Sequence, residues 1–110
     1  MPSQNVDAHV REHLEAARAH SSGRSSGLVL GGRQTRMTQT VVAMTAGTSL
    51  SEHENPGEAS VLVLEGQVRL DVGEISEEGG RGALLEVPPS RHSLHAVTDS
   101  AVLLTAFKSD

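Results

Sequence analysis

From residue 28 to residue 107 the chain is a succession of short β-type runs. Turn residues interrupt it about every eight to twelve positions, the spacing of a sandwich or barrel. No helical pattern lies between these runs, so a parallel sheet with helical crossovers is excluded. The runs are 28–30 before Gly31 and Gly32, 37–45, 60–64, 67–72, 83–87, 92–97 and 101–107. Glu65-Gly66 and Thr98-Asp99-Ser100 separate neighbouring runs, and Pro88-Pro89 stops one, because proline cannot continue a hydrogen-bonded ladder. Val68, Leu70 and Val72 alternate with polar residues, which predicts one buried face and one wet face. In 37–45, Met37, Gln39, Val41 and Ala43 share one face, and Thr38, Thr40, Val42 and Met44 the other. Gln39 is expected to face inward. Residues 77–82, EEGGRG, read as a polar, glycine-rich turn.

Before residue 28 the pattern differs. Residues 5–20 read as a helix, with Asn5 or Asp7 available as its cap and Val6, Val10, Leu14 and Ala17 along one narrow stripe. Such a stripe predicts a helix lying on the rest of the molecule. The Ser/Gly segment 21–27 reads as a flexible connector. The expected organisation is therefore a single domain: helix and linker over 1–27, β-domain over 28–110.

Composition limits what such a chain can do. Phe107 is its only aromatic residue, so the core must be built from Val, Leu, Ala and Met. Formal net charge is −5, and the nine Lys and Arg are scattered. Nucleic-acid binding needs clustered positive charge or stacking aromatics, so no nucleic-acid partner is expected. Without cysteine there is no disulfide, thiolate nucleophile or Cys-based zinc site. No run of about 18 apolar residues is present, so no membrane partner is expected. The N-terminus lacks the pattern of a signal peptide, and a cytoplasmic location is expected.

Two segments are more specific. Residues 47–66 read GTSLSEHENPGEASVLVLEG, and residues 82–97 read GALLEVPPSRHSLHAV. Together they resemble the two motifs of the cupin superfamily, in the manner of small single-domain cupins. Gly47 matches the opening glycine of the first motif and His53 its first histidine. Asn55 stands where the second histidine belongs, and Ala59 where the glutamate belongs. VLVLEGQVRL corresponds to the hairpin that follows. Gly82, Pro88 and His92 match the second motif, with a turn one residue shorter. The resemblance implies an all-β fold: an antiparallel, jelly-roll-like cupin β-barrel of about eight strands with one N-terminal α-helix. It also implies a homodimer, and exposed edge strands point the same way.

The pocket residues expected on this basis are His53, His92, Asn55, Gln39 and Ala59, with His53 and His92 the candidate metal ligands. Imidazole suits a divalent transition metal such as Zn, Ni, Fe or Mn, but two imidazoles alone hold one weakly. Asn55 offers a neutral carbonyl and Ala59 offers nothing. Glu58 is out of phase with the pocket, as successive strand residues face opposite ways. His95 is likewise out of phase with His92 and Leu94. His9, His13 and His20 are expected to pack at the helix rim. The expected function is therefore binding of a small-molecule ligand in the pocket. The alternative is a metal-dependent enzyme of oxygenase or isomerase type.

Overall fold

The computed structural model describes residues 3–53 and 57–108, and for 51–53 the backbone alone. The helix α1 spans Val6–Ala19. Asn5 is its cap, its side chain accepting from the Ala8 N–H at 2.9 Å. Asp7 in the first turn and Arg18 in the last complement the helix dipole. Val10, Leu14 and Ala17 form the buried stripe.

Among the described residues nine strands follow: β1 (Arg24–Leu30), β2 (Met37–Met44), β3 (Ser49–His53), β4 (Glu58–Glu65), β5 (Gln67–Val72), β6 (Ile75–Gly80), β7 (Leu84–Val87), β8 (His92–Ala96) and β9 (Ser100–Phe107). Their pairing is antiparallel throughout and divides them into two sheets, β1-β2-β9-β4-β7 and β3-β8-β5-β6. The partners are nested. β5 pairs with β6, β4 with β7, β3 with β8, and β2 with β9. This is a long hairpin wound into a jelly roll, the all-β antiparallel architecture expected, with its strands in two facing sheets.

Two elements differ from expectation. The Ser/Gly connector ends early, because β1 begins at Arg24. Its small residues serve close packing. The Ser25 hydroxyl lies 2.7 Å from His13 Nδ1, and a Cβ on Gly27 would meet the His13 ring at 2.5 Å. The glycine-rich segment at 77–82 is not all turn either. Glu77 to Gly80 complete the edge strand β6, where Arg69 opposes Glu78 and Gln67 opposes Gly80. The turn proper contains Gly82, at φ +88°.

Two apolar layers hold the structure together. Between the sheets, Val42, Met44, Val61, Val63, Val68, Leu70, Val87, Leu94, Ala96 and Val102 form one cluster. Beneath α1, Val10, Leu14 and Ala17 pack on Val29, Val41, Ala43 and Ala101. β2 belongs to both layers, so Val41, Val42, Ala43 and Met44 are all buried. Where β4 passes into β5, Gly66 has φ +83°, and a Cβ there would strike the Asp99 carbonyl. The adjoining Ser100 is fully buried and satisfied: its Oγ accepts from the Gln67 N–H at 3.1 Å and lies 2.7 Å from the Thr98 carbonyl. No helix among the described residues is long and apolar enough to cross a membrane.

Candidate functional site

The inward residues of seven strands do not quite fill the space between the sheets. Val42, Leu50, Val61, Leu70, Val87, Leu94, Val102 and Leu104 enclose a cavity of about 40 Å³, together with His92. A water needs roughly 10–15 Å³ measured this way, so the cavity holds a few small atoms. Among the described residues, His92 is its only polar lining group. Its origin lies in the composition. With Val and Leu at every other lining position, no ring fills the centre.

His92 is the first residue of β8 and is 6% exposed. It follows the turn that Pro88 and Pro89 impose at the end of β7. Its Nδ1 donates to the Ser90 carbonyl at 2.9 Å, since a carbonyl can only accept. In the neutral ring Nε2 is then the acceptor nitrogen. A backbone carbonyl thus fixes both tautomer and ring orientation.

His53 is the last residue of β3, and its backbone registers opposite His92. Regular pairing from the Leu50–Leu94 partners would place Glu52 there. An irregularity between Leu50 and His53 adds one residue and brings position 53 into register instead. Ala59 lies in β4 opposite Val87 and packs, half-buried, against the intersheet cluster. The position of the family's carboxylate therefore offers a methyl group. Glu58 is exposed beside it, as its phase predicts. Asn55 lies outside the described residues, as does the side chain of Glu52.

Gln39 is a correction. It shares the phase of Val41 and Ala43, which pack beneath α1, whereas Val42 in the opposite phase lines the cavity. Its Nε2 donates to Thr105 Oγ1 at 3.1 Å, between register partners on the sheet's outer face. Gln39 therefore cannot touch a ligand in the cavity. The sequence pattern could not decide its side, because both faces of β2 are buried.

A groove of about 660 Å³ lies at the end of the sandwich, lined by Gly57, Glu58, Ala59, Glu86, Val87 and Pro89. Val87 also lines the inner cavity, so its side chain is the wall shared by the two spaces.

The remaining histidines are held elsewhere. His9 and His13 stack with centroids 6.3 Å apart, and His20 Nδ1 lies 2.8 Å from the Ser22 hydroxyl. His95 sits on the outer face of the four-stranded sheet in a network that sequence reasoning missed. There Arg69 donates twice to Asp71, at 2.9 and 3.1 Å, and Ser76 donates to it at 2.7 Å. His95 Nε2 lies 3.1 Å from Asp71 and 3.0 Å from Ser93 Oγ. The Arg69 and Ser76 hydrogen bonds hold the Asp71 carboxyl at about 2, against 3.8 ordinarily. Strand pairing explains the cluster, with Asp71 opposite both Ser76 and Ser93. No group of three or more His, Asp or Glu suited to a metal occurs among the described residues.

No family model and no curated protein matches the chain. Solved structures do. A conserved protein of unknown function from Streptococcus pyogenes is similar at TM-score 0.73 and 22% identity, over 83% of this chain and 79% of that one. A cupin superfamily protein from Desulfitobacterium hafniense is similar at TM-score 0.72 and 18% identity, over 78% of each chain. An RmlC-like cupin from Desulfovibrio desulfuricans is 30% identical at TM-score 0.65, over 74% of this chain and 79% of that one. With a jelly roll of nested strands, His92 set after a proline turn, and this degree of identity, the chain belongs to the cupin superfamily.

Proposed function

We propose that the protein binds a compact, largely apolar small molecule between its sheets, with the His92 imidazole as the polar contact. The observation that carries this reading is the cavity: eight aliphatic side chains around one buried imidazole of fixed orientation. Ligand sites of this kind combine an apolar lining with few, well-placed polar groups. The volume of about 40 Å³ restricts the buried part of a ligand to a few atoms. A longer molecule would leave its remainder in the groove at Ala59 and Pro89, past Val87.

The test is a titration series of short aliphatic alcohols and carboxylic acids, read by amide chemical shifts. Saturable shifts confined to strands lining the cavity are expected. They should be lost in His92→Leu, which keeps the lining apolar and removes the hydrogen-bonding group. Absence of saturable binding across the series, or shifts confined to another surface, rules the reading out.

A second reading rests on the pairing of His53 with His92 across β3 and β8. A histidine whose other ring nitrogen donates to a backbone carbonyl, as His92 does, is in the state of a typical metal ligand. These two residues would hold a divalent Zn, Ni, Fe or Mn ion, with water or substrate completing its shell, for chemistry of oxygenase or isomerase type. Metal analysis of the untagged protein decides it. Stoichiometric metal that disappears in both His53→Ala and His92→Ala is the supporting result. No binding after reconstitution with each ion removes this alternative.

A further inference from the structure

The cavity and the groove meet at one residue. Among the described residues, Val87 alone lines both spaces. It is the last residue of β7, an edge strand of the five-stranded sheet, and is 5% exposed. The sequence holds its side chain in place. Ala59 in β4 is its register partner, and its methyl groups belong to the intersheet cluster. Pro88 follows it, and a residue before proline is kept to extended backbone. Valine is also branched at Cβ, which leaves it few side-chain orientations. Turning out of the wall would cost Val87 its packing in the cluster.

The two spaces differ in character. Aliphatic side chains and His92 line the cavity, whereas Glu58 and Glu86 stand exposed on the groove. A methylene group that enters the first leaves water behind, and one that enters the second largely keeps it. The gain from lengthening an apolar chain is therefore expected to stop at Val87.

We propose that Val87 sets the length of the ligand: a short linear chain lies in the cavity with its polar end on His92 and its tail against Val87. The assignment rests on the cavity being the binding site, as proposed above. A volume of about 40 Å³ gives such a chain roughly three water-sized positions. A longer chain reaches the groove only by turning Val87 out of the wall. The selection is by length, since the remaining aliphatic lining is common to every member of a linear series.

Linear primary alcohols from methanol to octanol test the assignment, because an uncharged polar end is not repelled by Glu58 and Glu86. Dissociation constants are read from amide chemical shifts in the wild type, Val87→Ala and Val61→Ala. In the wild type, affinity should rise about fourfold per methylene over the first members and then level off. In Val87→Ala the rise should continue through the longer members. Val61 lines the cavity and not the groove. Val61→Ala should therefore delay the plateau only by the space its methyl groups vacate. A wild-type series that climbs without a break overturns the proposal, whether or not Val87→Ala folds. So does a plateau in Val87→Ala at the wild-type length, or one delayed equally in both variants. No saturable binding of any alcohol to any of the three proteins removes the cavity reading itself, and the length selection with it.

Discussion

The two apolar layers share the strand β2 yet pack differently. The layer beneath α1 sets Val10, Leu14, Val29 and Val41 among small residues in close approach: Ala17, Ala43 and Ala101 are fully buried, and Gly27 lies directly under the His13 ring. The layer between the sheets is mostly Val and Leu, with Met44 and Ala96, and leaves the cavity beside His92. Sheets pack face to face at about 10 Å, a distance that Val and Leu cannot fill everywhere. One layer is therefore closely fitted, and the other keeps an unfilled cavity.

Substitutions can break this contrast. The largest effect is expected from Met44→Ala, which removes a fully buried side chain from the intersheet layer. Chemical denaturation should show a loss of about 2–5 kcal/mol. Gly27→Ala should follow, at about 1–3 kcal/mol, because the new methyl group overlaps the His13 ring. In the His13→Ala background the same change should cost much less, a coupling that a double-mutant cycle would read. Val102→Ile addresses the cavity, which Val102 lines. One added methylene is worth up to about 0.8 kcal/mol where it fits. Stability should therefore hold or rise slightly while binding of small ligands is lost.

The smallest effect lies outside both layers, on the outer face of the four-stranded sheet. Asp71 titrates at about 2 in the folded protein, below its ordinary 3.8. A depressed carboxyl stabilises the fold above the unfolded value and loses that contribution as pH falls from about 4 towards 2. The group is open to solvent, so the slope is expected to be shallow. In Asp71→Asn, thermal melting across this range should lose that part of its pH dependence.

Much of this arrangement can be read from the sequence, because alternation and punctuation are local properties. Val68, Leu70 and Val72 declare their face, Pro88 and Pro89 end their strand, and Asn5 caps its helix. His92 and Ala59 are legible through motif spacing. Other features depend on neighbours distant in sequence. The edge strand β6 is hidden because glutamate and glycine disfavour strands, and only pairing with β5 makes one there. β1 begins among serines and glycines for a reason visible only with His13 above them. The side on which Gln39 lies is not legible, because β2 is buried on both faces and carries no polarity signal. The irregularity that brings His53 opposite His92 leaves no mark in composition, and the size of the cavity is a property of packing.

The nested pairing of strands also leads to an expected order of assembly. β5 and β6 are joined by a short connection, whereas β2 and β9 pair across most of the length of the chain. Closing a long loop costs entropy that inner contacts must first offset. Assembly is therefore expected to zip outward from the β5–β6 hairpin, with the seam of β2 and β9 formed last. Leu70→Ala, in the inner hairpin, should then slow folding, while Val41→Ala, in the outer seam, should chiefly speed unfolding. Stopped-flow measurements that reverse this ranking would exclude the zipper. The buried face on which α1 rests would then be completed only at the end of folding, leaving the helix without a surface to dock on until the rest of the roll has closed.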